Sequence, residues 1–143
     1  MTAVVDVTPA LHGDERRLAD AMVRWLETGE RPVNLFDDHV FADLTLPHWH
    51  LQAEGSDAAF RLREDSHPHP GTVSVGDLDQ TSRGFLLSFE ERWEADGQGW
   101  YSREMMHCVV TQGRISELHI YCTGDWDESL QRRHADEVRL IRP

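Results

Sequence analysis

A chain of 143 residues, 39% hydrophobic and 28% charged, has the make-up of one ordinary globular domain with a core of its own, spanning 1–143. Its formal charge of −12 argues against a surface for nucleic acid or anionic membrane, since both want a basic patch. The apolar runs are too short to span a bilayer, and MTAVVDVTPA lacks the basic start and apolar centre of a secretory leader, so the expected location is cytoplasmic.

Residues 1–8 read as an extended lead-in. Thr8-Pro9 forms an N-cap and first-turn proline, and Asp14 after Gly13 offers a second helix start. Leu11, Leu18, Met22, Trp25 and Leu26 fall on one helical stripe, closed by Gly29. Pro32 predicts a short second helix through Val33, Leu35 and Phe36, ended by Asp37-Asp38. VFADLTLPHW reads as a strand with Phe41, Asp43 and Thr45 on one side and Ala42, Leu44 and Leu46 on the other. A carboxylate at Asp43, among β-prone apolar neighbours, is unfavourable unless it is paired or used. Ser56 is expected to cap a helix, SDAAFRLRED, whose Ala59, Phe60 and Leu62 reach a core. SHPHPG reads as a rigid loop with His67 and His69 solvated, and TVSVGDL as a further strand.

Three strands in a row follow: GFLLSFEERWEA, GWYSREMMHCVV and RISELHIYCTG. Asp96-Gly97 is a strong two-residue hairpin signal. It sets Trp93 opposite Trp100, Glu91 opposite Ser102, Phe89 opposite Glu104 and Phe85 opposite Cys108. Thr111-Gln112-Gly113 suits a type I turn closed by a glycine bulge, which sets Cys108 opposite Ser116, Met106 opposite Leu118 and Ser102 opposite Cys122. In that register Cys122 lies ~20 Å along the strands from Cys108, beyond the ~7 Å a disulfide tolerates, so both cysteines read as reduced. Beyond the strands, Asp125 or Asp127 caps a last helix near WDESLQRRHADE, and VRLIRP trails as a tail.

Together the turns sort the strands into an apolar face interrupted by Glu91 and Glu104, and a second face carrying Tyr101, Met105, His107, His119 and Tyr121. Helices first and a meander last predict an α+β fold, a curved antiparallel sheet half-closed by N-terminal helices. Such a sheet leaves an apolar pocket for a hydrophobic small molecule. Its wall is assigned to Met22, Trp25, Trp49, Phe85, Leu87, Phe89, Met106, Cys108, Leu118, Ile120 and Cys122. The second face is too aromatic for a solvated surface and is expected to form a homodimer.

LETG at the end of the first helix, NLFDDHVFADL, GSDAAF, LLSFE and QGRISELHIY, in that order over nearly the whole chain, resemble the nuclear-transport-factor-2-like superfamily. The likeness is to its SnoaL-like branch of polyketide cyclases and ketosteroid isomerases. The resemblance implies a cone-shaped α+β barrel, often dimeric, with cofactor-independent and metal-free acid–base catalysis on hydrophobic small molecules. It places Asp43 at the isomerases' general-base position. The oxyanion-hole tyrosine position is Met22 and the oxyanion-hole aspartate position Met106, so the familial steroid isomerisation is not expected.

The face analysis and the resemblance leave Asp43 as candidate base and Glu104 as candidate acid, the latter raised in pKa by apolar neighbours unless a basic side chain from a helix or loop pairs with it. His48, His50 and Glu54 form HxHxxxE, similar to a cupin metal motif, but the companion PxG motif is absent. The expectations are therefore an isomerase, cyclase, hydro-lyase or epoxide hydrolase without cofactor; alternatively a non-catalytic binding protein; and last a cupin-like metal enzyme.

Overall fold

The computed structural model describes Leu11, residues 13–67 and residues 69–143. The first apolar stripe becomes α1 (Gly13–Thr28), which buries Leu18, Ala19, Met22, Trp25 and Leu26. It ends where Gly29, at φ 76, donates its N–H to the Trp25 carbonyl at 2.7 Å. The start expected at Thr8-Pro9 lies outside the described residues.

The short helix expected after Pro32 does not form. Asn34 takes φ 62, which no right-handed helix continues, and Leu35 already accepts a hydrogen bond from Ile115 N–H at 2.9 Å. Leu35 and Phe36 are buried by joining the sheet instead. β1 (Phe36–Leu46) then folds back through Pro47-His48, with His48 at φ 62, into β2 (Trp49–Glu54). VFADLTLPHW therefore covers the end of one strand, the turn and the first residue of the next rather than a single strand.

α2 (Ser56–Ser66) is capped by Gly55 at φ 97 with no side-chain cap bond, so Ser56 is its first residue rather than its cap. β3 (Thr72–Gln80), β4 (Gly84–Ala95), β5 (Gln98–Thr111) and β6 (Arg114–Cys122) follow. α3 (Glu128–Glu137) is capped by Asp127, whose side chain accepts from Leu130 N–H at 2.8 Å.

The six strands form one sheet in the order β2-β1-β6-β5-β4-β3. It is mixed rather than wholly antiparallel, because β1 and β6 run parallel. The β4–β5 register is the one the Asp96-Gly97 turn dictates, with Trp93 opposite Trp100, Glu91 opposite Ser102 and Phe89 opposite Glu104. The β5–β6 turn differs from expectation. Gln112 and Gly113 both have positive φ, 50 and 76, so Thr111 pairs directly with Arg114 across a two-residue turn. An irregularity between Val109 and Val110 then brings Cys108 opposite Leu118, Met106 opposite Ile120 and Glu104 opposite Cys122. From Cys108 on, the correction moves each partner by an even step and the faces keep their residues; nearer the turn Val110 pairs with Ile115, which the register had put on the second face and which is buried in the core instead. Cys122 is still ~14 Å along the strands from Cys108, and both thiols are free.

The apolar face packs under α1 and α2 around Leu18, Met22, Trp25, Phe60, Phe85, Leu87, Phe89, Met106 and Leu118. Trp25, Phe36 and Phe60 meet edge to face or tilted, with ring centroids 4.7 to 6.2 Å apart. The other face is partly covered by the chain leading into α3, where Trp126 stacks edge-on against Tyr101 at 5.3 Å. Met105 and Tyr121 stay open there. Among the described residues no helix is long and apolar enough to cross a membrane.

Candidate functional site

Alternation along β4 turns Phe85, Leu87, Phe89 and Glu91 inward, and on β5 it does the same for Ser102, Glu104 and Met106. Two carboxyls thus enter the helix-covered face beside each other. The helix opposite supplies the cation. Arg63 follows Ala59 by four positions and Phe60 by three, so it lies on the buried stripe of α2, and His67 follows one turn later. The His67 N–H closes the helix on the Arg63 carbonyl at 2.7 Å, leaving the His67 ring with its side chain only 8% exposed.

These side chains form one buried polar cluster. Arg63 Nη2 stands 2.9 Å from Glu91 Oε1, and Arg63 Nη1 stands 3.9 Å from Glu104 Oε2. His67 Nε2 is 3.3 Å from Glu91 Oε2, and its ring meets Trp93 edge-on at 4.1 Å. The contacts are close but poorly directed. Among the described residues, neither Glu91 oxygen, neither His67 nitrogen nor the fully buried Ser102 hydroxyl meets a partner in good hydrogen-bond geometry, although Arg63 and His67 lie within ion-pair distance of Glu91. Burial, and after it the like charge of Glu91, push the Glu104 carboxyl up to about 7 against the pull of Arg63. Burial also raises Glu91, with Arg63 opposing. Burial and then the Arg63 charge hold His67 down to about 4, which leaves its ring neutral at pH 7.

Next to the cluster lies a cavity of about 40 Å³. Glu104, Arg63, His67 and Ser66 form its polar end, and Met22, Trp25, Leu26, Leu44, Ala59, Leu62, Met106, Leu118 and Ile120 the rest. As closed, it has room for water and little else. A surface hollow of about 250 Å³ adjoins it, and the two share Trp25, Leu26, Arg63 and His67 as a partition. A larger groove of about 570 Å³, bordered by Val75, Arg103, Met105 and Tyr121, lies open on the outer face.

Of the residues assigned to a pocket wall from sequence, Met22, Trp25, Met106, Leu118 and Ile120 line the cavity. Phe85, Leu87, Phe89 and Cys108 are sealed in the core around it. Cys122 sits half-buried opposite Glu104 on the neighbouring strand. Trp49 shares the face of Leu44 by strand parity, but it is 66% exposed and apart from the cavity.

The structure does not bring Asp43 and Glu104 together. β1 turns Ala42 and Leu44 inward, so Asp43 points to the outer face, paired in register with His119. Its Oδ2 accepts from Gln52 Nε2 at 2.8 Å and lies 2.7 Å from His50 Nε2, and these partners, Gln52 first, hold its carboxyl below the ordinary range. The cupin-like set is not assembled either. His48 is in the turn, and His50 and Glu54 stand ~14 Å apart along β2, too far to share an ion. Among the described residues no group of three or more His, Cys, Asp or Glu could hold a metal. Sequence reasoning missed Arg63 and treated His67 as solvated; the helical spacing from Ala59 and Phe60 was the signal available.

No protein-family model matches the chain, and no curated protein does. Solved structures do. An NTF2-like protein from Anabaena variabilis ATCC 29413 superimposes with a TM-score of 0.67 at 14% identity, covering 82% of this chain and 96% of that one. The epoxide hydrolase/cyclase-like enzyme SalBIII, which has a role in pyran ring formation in the polyether salinomycin, gives 0.63 at 13% identity, over 78% and 95%. An LEH-like epoxide hydrolase from M. tuberculosis gives 0.61 at 12% identity, over 76% and 82%. Identities this low carry the architecture and not the activity. The chain has the NTF2-like fold, an α+β cone in which two helices cover one face of a six-stranded mixed sheet.

Proposed function

We propose that this protein is a cofactor-independent acid–base catalyst acting on a small, largely apolar molecule, of the isomerase, cyclase, hydro-lyase or epoxide-opening type. One observation carries the reading. Glu104 is a buried carboxyl that lines the cavity and titrates near neutrality, so both its acid and its base forms are populated at pH 7. Fold neighbours that are epoxide hydrolase-like or cyclase-like agree with it as analogy.

The geometry favours chemistry in which one cavity-facing carboxyl both gives and takes a proton. Neutral Glu104 donates to an oxygen of the substrate as negative charge develops there. Arg63, 3.9 Å away, then stabilises the carboxylate that remains. Glu91 sits behind Arg63 and sets how strongly the guanidinium favours ionised Glu104. Met22 and Met106 stand in the cavity wall and donate no strong hydrogen bond, so charge on the substrate has to be met by Glu104 and the Arg63 end. Substrate entry requires the Trp25–Leu26–Arg63–His67 partition to part.

The test is a panel of apolar epoxides and unsaturated ketones assayed with the wild-type protein and with Glu104→Gln. Removing a general acid–base group lowers turnover about 10²- to 10⁴-fold. A Glu104→Gln protein that turns over a substrate at the wild-type rate sinks the proposal.

A further inference from the structure

We infer that the cavity takes an apolar molecule with a positively charged, hydrogen-bond-donating head, a primary or secondary ammonium, in preference to a carboxylate or phosphate. The inference rests on the reading that this cavity is the substrate site, and adds to it the chemical class of the ligand.

The argument is an inventory of charges and donors. Glu104 brings a carboxyl into the lining of the polar end, Glu91 stands behind Arg63, and the charge of the exposed Asp125 reaches both carboxyls. Against these stand one guanidinium and one imidazole. Arg63 is committed to Glu91 at 2.9 Å and stands off from Glu104 at 3.9 Å. His67, the other basic group in the lining, is kept neutral by burial and by Arg63. The guanidinium is thus turned to Glu91, while the Glu104 carboxyl, which lines the cavity, meets it only at 3.9 Å and keeps acceptor capacity on the cavity side. An incoming donor that reaches the Glu104 carboxyl gains a charge-assisted hydrogen bond there.

An anionic head meets the opposite situation. It would enter beside Glu104 with only an already paired guanidinium to receive it, and burying a charge against like charge is disfavoured. An ammonium beside Glu104 gains from both proximity and low dielectric. The apolar remainder of the lining, Met22, Trp25, Leu44, Leu118 and Ile120, fits a hydrocarbon body. Because Glu104 faces Arg63, Glu91 and Cys122, with His67 alongside and the charge of Asp125 within reach, its ionisation sets the pH dependence. Ammonium binding should strengthen as pH rises through about 7 and Glu104 loses its proton.

Calorimetric titration with benzylamine, benzyl alcohol and benzoate at pH 8 decides the matter. We expect benzylamine to bind at least about tenfold more tightly than benzoate, with benzyl alcohol between them. Glu104→Gln should remove the advantage of the amine over the alcohol while leaving the alcohol's own affinity within about twofold. Met22→Ala, which enlarges the apolar end, should tighten amine and alcohol together; no change in either places the amine elsewhere on the acidic surface and overturns the inference. Benzoate binding as tightly as benzylamine overturns the ligand class while leaving the cavity as the site. Failure of all three to bind overturns the cavity reading, and the inference with it.

Discussion

Between about pH 4.5 and 6.5 the stability of this protein carries two opposed contributions from groups that flank one arginine, and removing either exposes the other. The Glu104 carboxyl rises from 4.5 in the unfolded chain to about 7 in the folded one. Over that interval the folded protein keeps a proton the unfolded chain has released. Its contribution is present below pH 4.5 and is lost as pH rises through 7. At ~1.4 kcal/mol per pH this amounts to about 3 kcal/mol, and raised Glu91 adds in the same direction. His67 moves the other way, from 6.5 to about 4. Its stability is present above 6.5 and is lost as pH falls through 4, by about 2 kcal/mol once the proximity of its ring to the surface hollow is allowed for. Urea unfolding followed by circular dichroism at several pH values should give a shallow wild-type profile between 4.5 and 6.5. Glu104→Gln should become more stable with rising pH over that range, and His67→Phe less stable. Asp43, Asp57 and Glu64, whose carboxyls are lowered by their partners, titrate more acidically and cancel in the comparison. Identical pH profiles for wild type and Glu104→Gln would refute the reasoning, because a buried carboxyl at about 7 cannot be removed without changing the slope.

Other perturbations test the fold that holds the cluster. Gly84→Ala would put a methyl 2.0 Å from the Cys108 carbonyl oxygen; the two strands cannot absorb this, and denaturant unfolding should show a loss of about 3 kcal/mol or more. Leu87→Ala, at a fully buried position in the core, should cost about 2–5 kcal/mol by the same measurement. Asp127→Ala removes the α3 cap bond and should lower stability by about 1 kcal/mol, with hydrogen exchange rising first at Leu130. Gln112→Asn replaces a residue poorly suited to φ 50 by one that tolerates it, and should raise the melting temperature slightly, equivalent to about 0.5 kcal/mol.

The meander was legible because its signals are local. Asp96-Gly97 sets a register that alternation carries along both strands and that puts Glu91 and Glu104 on the inner face, and although the Gln112-Gly113 turn differs from expectation, the even shift beyond Val109 keeps Leu118 and Ile120 on that face. The segment from Pro32 to Glu54 was not legible, because its structure is set at a distance. Leu35 and Phe36 have helix-compatible spacing, and only their pairing with Ile115 makes them strand. The same reason hid the outward direction of Asp43. On β1 the small Ala42 and Leu44 mark the buried side only once β6 supplies Leu118 and Ile120 beside them. In the site, the carboxyls were found from register, whereas Arg63 required knowing that α2 lies across that stretch of sheet. A long side chain on a helix shows its partner only after packing is known.

The parallel pairing of β1 with β6 has a consequence for how the chain comes into being. Phe36 and Ile115 are neighbours in space but about 80 residues apart along the polypeptide, and loop closure over that distance is slow. During synthesis the β1–β2 hairpin and α2 emerge with Ala42, Leu44 and Phe60 uncovered, and the strand that completes them arrives only after β3, β4 and β5. The nascent protein therefore carries an unfilled slot along β1 until β6 emerges. That slot is where misfolding or capture by a folding helper would begin, and where ribosome-stalled intermediates truncated before residue 114 should be protease-sensitive.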